Sequence, residues 1–280
     1  MQPTIQYIRH ELRSHYPAEE VEALIRVIFG HVCQYTLTDL TLRRQEKLPH
    51  NSFEAIKKIV EQLKKSVPIQ YITGSTGFLG LTLNVSPEVL IPRPETEELA
   101  EWIVSEEQLA GKALDIATGS GCLALALKQH FPLASMYGCD ISQEALKIAS
   151  SNAQKNHLEA EFFQSDILKW QQYEFWQLYD LIVSNPPYVA ISEQKQMSKN
   201  VLLYEPWSAL FVADEHPLIF YETIAQFSAR HLNSGGALYF EINERFAHEI
   251  ANLLNQYGFK EVTVKQDMQK KDRMVRAKLG

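Results

Sequence analysis

Two consecutive prolines end an apolar run in this chain, and few sequence features restrict a fold more. The run Asp180-Leu181-Ile182-Val183-Ser184 has the length and branched residues of a buried strand. Pro186 and Pro187 fix φ and carry no N–H, so the ladder has to stop at Asn185 and the chain must turn outward. The Asn185 amide, the Pro186 carbonyl, Pro187 and the Tyr188 ring are thereby presented together at a strand's carboxyl end, where open α/β sheets bind their ligands. A stiff tip with an amide and an aromatic ring suits a flat group carrying an NH2. For the tetrapeptide alone, an ordinary proline-containing loop is an equal reading.

Upstream, residues 4 to 66 read only as helices. Ile5, Ile8 and Leu12 share one face, and Val21, Leu24, Ile25, Ile28, Phe29 and Val32 repeat at helical spacing after Pro17. A third helix carries Phe53, Ile56, Ile59, Val60 and Leu63, with Ser52 expected as its N-cap and Pro68 as its stop, and a short fourth lies within Leu37 to Lys47. From Ile69 to Leu90 the texture becomes β-like, and Phe78 to Val85 reads as a hairpin. A rigid loop follows, Ile91-Pro92-Arg93-Pro94-Glu95-Thr96-Glu97, feeding a helix for which Glu95 or Thr96 supplies first-turn capping. The expected division is a helical domain over 1–68, a hairpin linker over 69–90 and a larger domain over 91–280.

After Gly111 strands and helices alternate, which predicts α/β architecture with a mostly parallel sheet. Strands are expected at Lys112–Ile116, Ser135–Asp140, 161–163, 181–183 and 237–241, and helices at Cys122–His130 and 143–156. Residues 259–264 and 274–277 are expected to pair as a terminal hairpin.

The loop Asp115-Ile116-Ala117-Thr118-Gly119-Ser120-Gly121 joins the first of these strands to the first helix. Its glycines admit a ligand close to the backbone, and the helix behind them offers free N–H groups. Gly119 to Ala124 also satisfies the dinucleotide pattern G-x-G-x-x-A, a weak match by itself. Asp115 tilts the reading toward S-adenosylmethionine, since a carboxylate there pairs with a methionine ammonium and repels a pyrophosphate. Asp140, about 20 residues past the glycines, is placed to take both ribose hydroxyls with either cofactor. Asp166, after the third strand, is a candidate for the adenine amino group.

The net charge of −7 argues against a protein that grips duplex DNA, which needs a basic face. Three widely spaced cysteines form no CxxC pair or metal-ligand spacing, the reading expected of a reduced cytoplasmic protein without a metal. No apolar run approaches the ~18 residues of a membrane span, and Met1 leads into an amphipathic helix rather than a signal peptide.

The combination of I-P-R-P-E-T-E at 91–97, D-x-x-T-G-S-G at 115–121 and N-P-P-Y at 185–188 resembles the class I, Rossmann-like methyltransferases. More narrowly, it resembles the release-factor glutamine N5-methyltransferases, and the likeness covers nearly the whole chain. Tyr204 to Leu210 is similar to that family's E-P-x-x-A-L segment. The resemblance implies transfer of a methyl group from S-adenosylmethionine to the glutamine of the Gly-Gly-Gln loop of class I peptide chain release factors, by a monomer. It implies cofactor contacts from Asp115, Ala117, Thr118, Gly119, Ser120, Gly121, Asp140, Asp166, Ile167 and Asn185. Asn185, Pro186 and Tyr188 take the catalytic part, Tyr188 by stacking on the amide, and Pro187, Arg93 and Glu205 join them in holding the substrate. Ala117 stands where many members have glycine, and its methyl is expected to be tolerated at negative φ. Ile167 stands where some relatives place an aromatic against the adenine. Three rivals remain open at this point: an amino-methyltransferase of nucleic-acid bases, a nicotinamide-dependent oxidoreductase, and a non-catalytic adaptor.

Overall fold

A computed structural model describes all 280 residues, which form two compact units. The first comprises Met1–Gly74 and Ser198–Tyr204. Its helices are α1 (Gln2–Leu12), α2 (Ala18–Cys33), α3 (Leu37–Leu42), α4 (His50–Lys64) and α5 (Ile69–Thr73), and a later segment contributes α9 (Lys199–Tyr204). The apolar stripes read from the sequence close on one another: Ile8, Leu12, Ile28, Phe29, Ile56 and Val60 are fully enclosed. α3 has a reciprocal capping box between Thr36 and Asp39. Two expectations are corrected. α4 begins at His50 with Pro49 as its N-cap, so Ser52 lies inside the helix. The β-like reading of 69–90 fails in its first five residues, because Pro68 opens the short helix α5, whose Ile69 and Ile72 pack on the bundle.

The second unit comprises Ser75–Met197 and Glu205–Gly280. It opens with a hairpin of β1 (Ser75–Phe78) and β2 (Leu81–Asn84), then α6 (Pro94–Glu106). Next come β3 (Lys112–Ile116), α7 (Cys122–His130), β4 (Ser135–Asp140), α8 (Gln143–Lys155), β5 (Glu161–Gln164) and β6 (Tyr179–Ser184). After the short elements β7 (Val189–Ala190), α10 (Trp207–Leu210) and β8 (Phe211–Val212) follow α11 (Ile219–His231), β9 (Leu232–Glu241), α12 (Ala247–Gln256), β10 (Phe259–Gln266) and β11 (Asp272–Leu279).

The main sheet has seven strands in the order β10-β11-β9-β6-β3-β4-β5, and β11 alone runs against the others. The expected terminal hairpin is present, with β11 pairing both β10 and β9. Side chains alternate between two cores as a sheet covered on both faces requires. Ala113, Leu181, Val183 and Tyr239 face one, while Leu114, Ile116, Ile182, Leu238 and Phe240 face the other. Chain direction reverses its progress across the sheet between β3 and β6, which opens a crevice at their carboxyl ends.

The β1–β2 hairpin is clamped to α8 by two asparagines that imitate a strand partner. Asn156 exchanges hydrogen bonds with the Thr82 amide and carbonyl, and Asn152 does the same with Asn84. Asn152 is completely buried, and its Nδ2 also donates to the Ser120 carbonyl at 2.9 Å, so it ties the hairpin to the loop after β3. The hairpin turn is held as well, by Glu97 of α6 accepting from the Leu79 amide. Three of the basic residues near the C-terminus are paired locally: Arg273 with Asp267, Arg276 with Glu106 and Glu107, and Lys271 with Glu244.

Asn152→Ala strands buried groups on both the hairpin and the loop, so we expect a loss of about 3 kcal/mol in the sheet unit. That corresponds to a melting point lower by roughly 6–12 °C in calorimetry. Asn156→Ala, which is partly exposed, should lose less than half as much.

Candidate active site

A cavity of about 240 Å³ lies at the crevice between the carboxyl ends of β3, β4, β5 and β6. A single water fills about 10–15 Å³ on such a scale, so this is a ligand-sized space and not a packing defect. Its polar side is built from Asp115, Ala117, Thr118, Gly119 and Ser120 after β3, Asp140 and Ser142 after β4, and Ser165 and Asp166 after β5. Val89, Leu90, Ile167, Leu168 and Phe220 give it an apolar side, and Asn185, Pro187 and Thr96 close it beside the N-P-P-Y tip.

Asp115 is 1 % exposed. Its Oδ2 accepts from the Thr118 hydroxyl at 2.6 Å and from the Ala124 amide at 3.2 Å, the first fixing the loop and the second using a free N–H of α7. Its Oδ1 has no partner within the protein. Burial pushes this carboxyl up to about 7, with the Thr118 and Ala124 hydrogen bonds opposing the rise. The Ser120 and Ser165 hydroxyls, also on cavity residues, are likewise buried without a partner. Buried polar atoms are nearly always hydrogen-bonded. Three orphans around one cavity therefore mark a site shaped for a polar ligand, and the Asp115 oxygen suits an ammonium.

Asp140 holds the glycine loop while facing the same space. Its Oδ2 accepts from the Gly119 amide and its Oδ1 from the Ser142 amide, both at 2.9 Å, and each oxygen keeps a lone pair for a further donor. Burial raises this carboxyl too, against the two backbone hydrogen bonds. Asp166 lines the cavity but already caps the 3-10 turn that follows it through the Leu168 amide, and it pairs with Lys169. Ile167 contributes apolar wall.

Several expected site residues stand elsewhere. Gly121 does not line the cavity; with φ at +80° and an added Cβ only 3.1 Å from the Ala149 methyl, it lets the loop pack against α8. Arg93 and Glu205 do not reach the cavity because they bind each other at 2.6 Å, with Glu205 also accepting from the Ile91 amide. This pairing fastens the I-P-R-P loop to the E-P segment, whose Pro206, Ser208 and Ala209 do reach the cavity. Pro186 and Tyr188 are also outside the lining. The partly buried Tyr188 ring packs on the second core, and its hydroxyl donates to Glu241 at 3.0 Å, so it braces the tip from behind. Burial, with the Glu241 charge, drives its phenol well above the ordinary range. Ala117 has φ at +59°, contrary to the expected negative value, because the turn out of β3 needs a left-handed residue there.

Thr96 and Glu241 were not recognised as site residues from the sequence. Thr96, read as a capping residue, instead donates its hydroxyl to Glu241 at 2.6 Å, and Asn185 Nδ2 donates to the same hydroxyl oxygen at 3.2 Å. Glu241 is 1 % exposed, and burial raises its carboxyl against the hydrogen bonds from Thr96 and Tyr188. Its signal was present in the sequence: it follows Ala237 and Tyr239 in the inward alternation of a buried strand, where a carboxylate needs a reason.

Two measurements test this site. The ionised Asp115 is favoured in the unfolded chain, so the stability of its protonated form is lost as pH rises from about 4 through about 7. Ligand-free Asp115→Asn should therefore match the parent's melting point near pH 4 and exceed it by a margin that grows up to about pH 7, while losing affinity for S-adenosylmethionine; a pH-independent difference would refute the buried-charge account. Ala117→Gly relieves the left-handed strain and should stabilise the protein by roughly 0.5–1 kcal/mol in denaturant titration.

Comparison with known proteins agrees with this geometry. Residues 95–211 match the model of the Methyltransferase small domain and residues 4–74 that of the PrmC N-terminal domain. A release factor glutamine methyltransferase of Flavobacterium psychrophilum is 42% identical over 270 residues, 95% of this chain and 94% of that protein. One from Bacteroides thetaiotaomicron is 40% identical over 271 residues, 97% of each. Among solved structures, a 16S rRNA methyltransferase of Thermus thermophilus in complex with AdoMet and guanosine aligns with a TM-score of 0.54 at 19% identity, over 74% of this chain and 50% of that one. A methyltransferase from Pyrococcus furiosus aligns with a TM-score of 0.52 at 18% identity, over 72% and 90%. The structures establish the fold as that of the class I methyltransferases, and the sequence relatives establish the narrower kinship: this chain belongs to the release factor glutamine methyltransferase family.

Proposed function

We propose that this protein is an S-adenosylmethionine-dependent methyltransferase acting on N5 of the glutamine in the Gly-Gly-Gln motif of class I peptide chain release factors. The relatives named above carry that substrate class in their names. The observation that most supports the reading is that one cavity is lined both by the acids Asp115 and Asp140 and by Asn185 and Pro187 of the N-P-P-Y tip. A donor site and an amide-binding site share one space.

Asp115 Oδ1 would take the ammonium of S-adenosylmethionine, Asp140 the ribose hydroxyls, and Ile167 with Leu168 the flat face of the adenine. When bound, that cofactor supplies a methyl group made electrophilic by its sulfonium. An amide nitrogen is a poor nucleophile because its lone pair is delocalised into the carbonyl. The Asn185 Oδ1 and the Pro186 carbonyl accept the two N–H bonds of the substrate amide, turn its nitrogen toward the cavity and favour positive charge there. Tyr188 keeps the tip rigid from behind through Glu241. No general base is required, since an amide nitrogen bearing a fourth substituent sheds its proton readily to solvent.

Cavity and tip come from one chain, so the site needs no second copy to complete it. No helix is long and apolar enough to cross a membrane, and a substrate that works in translation supports a cytoplasmic location. Transfer to an exocyclic NH2 of a nucleic-acid base would use the same tip, but the net charge of −7 disfavours it.

Mass spectrometry of the Gly-Gly-Gln peptide, after incubation of a release factor with enzyme and cofactor, should show one added methyl group on the glutamine. Asn185→Ala should slow this by roughly 100-fold or more. Near-parental rates in that variant, or label found on an oligonucleotide instead of the factor, would overturn the assignment.

A further inference from the structure

Asn185 can sit in its pocket with its amide in either of two orientations of almost identical shape. Packing cannot choose between them, and hydrogen-bond polarity must. Glu241 fixes that polarity from inside the fold. Its two oxygens accept from the Tyr188 and Thr96 hydroxyls, so the one proton of the Thr96 hydroxyl is committed to its Oε2 at 2.6 Å. Toward Asn185 the Thr96 oxygen therefore offers only lone pairs, and Nδ2 of Asn185 fills that contact at 3.2 Å. With the NH2 turned to Thr96, Oδ1 is directed to the other side of the amide, on a residue that lines the cavity. The same carboxylate holds the end of the tip through the Tyr188 hydroxyl, and Asn243, two residues on, donates to the Tyr188 carbonyl at 3.2 Å.

We propose that Thr96 and Glu241 are positioning residues whose hydrogen-bond relay selects the orientation of Asn185 that presents an acceptor to the substrate amide. The proposal rests on the reading of this chain as a glutamine methyltransferase. With the amide reversed, Asn185 would set N–H donors against the N–H donors of the substrate, and the nitrogen would be held out of line. Neither residue needs to touch the substrate for this effect. The relay joins the start of α6, the end of β9 and the tip after β6, three segments far apart in the chain.

The test compares the full-length parent with Thr96→Val, Thr96→Ser and Glu241→Leu, measuring kcat, KM for a release factor, the Kd of S-adenosylmethionine and the melting point. Valine keeps the shape of threonine and removes the acceptor, so kcat should fall roughly 10- to 100-fold while KM and Kd stay within about threefold. Serine restores the hydroxyl and should keep kcat within about threefold of the parent. Should Thr96→Val not fold, Glu241→Leu decides: it takes the acceptor away from the Thr96 hydroxyl, whose proton is then free to turn to Asn185, so kcat should fall about tenfold with KM and Kd little changed. Parental kcat in Thr96→Val or in Glu241→Leu overturns the relay, as does a kcat loss matched by equal loss of cofactor affinity. Absence of methyl transfer by the parent itself would instead overturn the glutamine reading.

Discussion

A strand that cannot be extended is the constraint on which the site depends. Pro186 and Pro187 stop β6 at Ser184, the last residue of its ladder with β3, which also donates its hydroxyl to the Ile116 carbonyl at 2.7 Å. Because β6 and β3 are neighbours across the point where the sheet changes its direction of progress, their ends cannot cover each other. The crevice between them follows from connectivity, and the loop after β3 and the tip after β6 become its two walls. A ligand bound on one wall is held within reach of whatever the other wall grips.

The walls are held in states that a protein built only for stability would avoid. Asp115 keeps a buried oxygen without a partner, Glu241 keeps a carboxylate among apolar strands, and Ala117 adopts a backbone angle better suited to glycine. These three exceptions stand at the cavity or directly behind its tip. Each exception has a compensating neighbour. The Thr118 hydroxyl and Ala124 amide hold Asp115, the Thr96 and Tyr188 hydroxyls hold Glu241, and the Thr118 amide anchors the turn by donating to the Cys139 carbonyl.

The sequence was most legible where period and punctuation alone decide the structure. Cys122–His130 and Ser135–Asp140 fall at their expected ends because alternating apolar residues and glycine turns leave little choice. The cavity acids were legible for a related reason, since each sits at the end of a readable strand. Side chains that act across the fold were not. Thr96 has the position of a first-turn cap, and nothing local reveals that a glutamate 145 residues later accepts its hydrogen bond. Arg93 and Tyr188 carry a charge and a ring that look made for a ligand, yet tertiary partners Glu205 and Glu241 had already engaged them. A motif records which residues are present at a site, whereas their partners are set by topology.

The I-P-R-P-E-T-E loop shows how much structural work such a motif can conceal. Arg93 fastens it to Glu205, Glu97 grips the Leu79 amide at the hairpin turn, and Thr96 bridges Asn185 and Glu241. Three successive functions therefore converge on the first turn of α6: closing the cavity beside the E-P segment, seating the hairpin, and orienting the tip. The two prolines on either side of Arg93 make this possible by removing backbone freedom before the helix begins, so that side chains on one turn meet partners from three separate segments without further ordering. Rigidity in that turn fixes where the Thr96 hydroxyl meets Asn185, because every degree of freedom left in the support would reappear as movement of that contact.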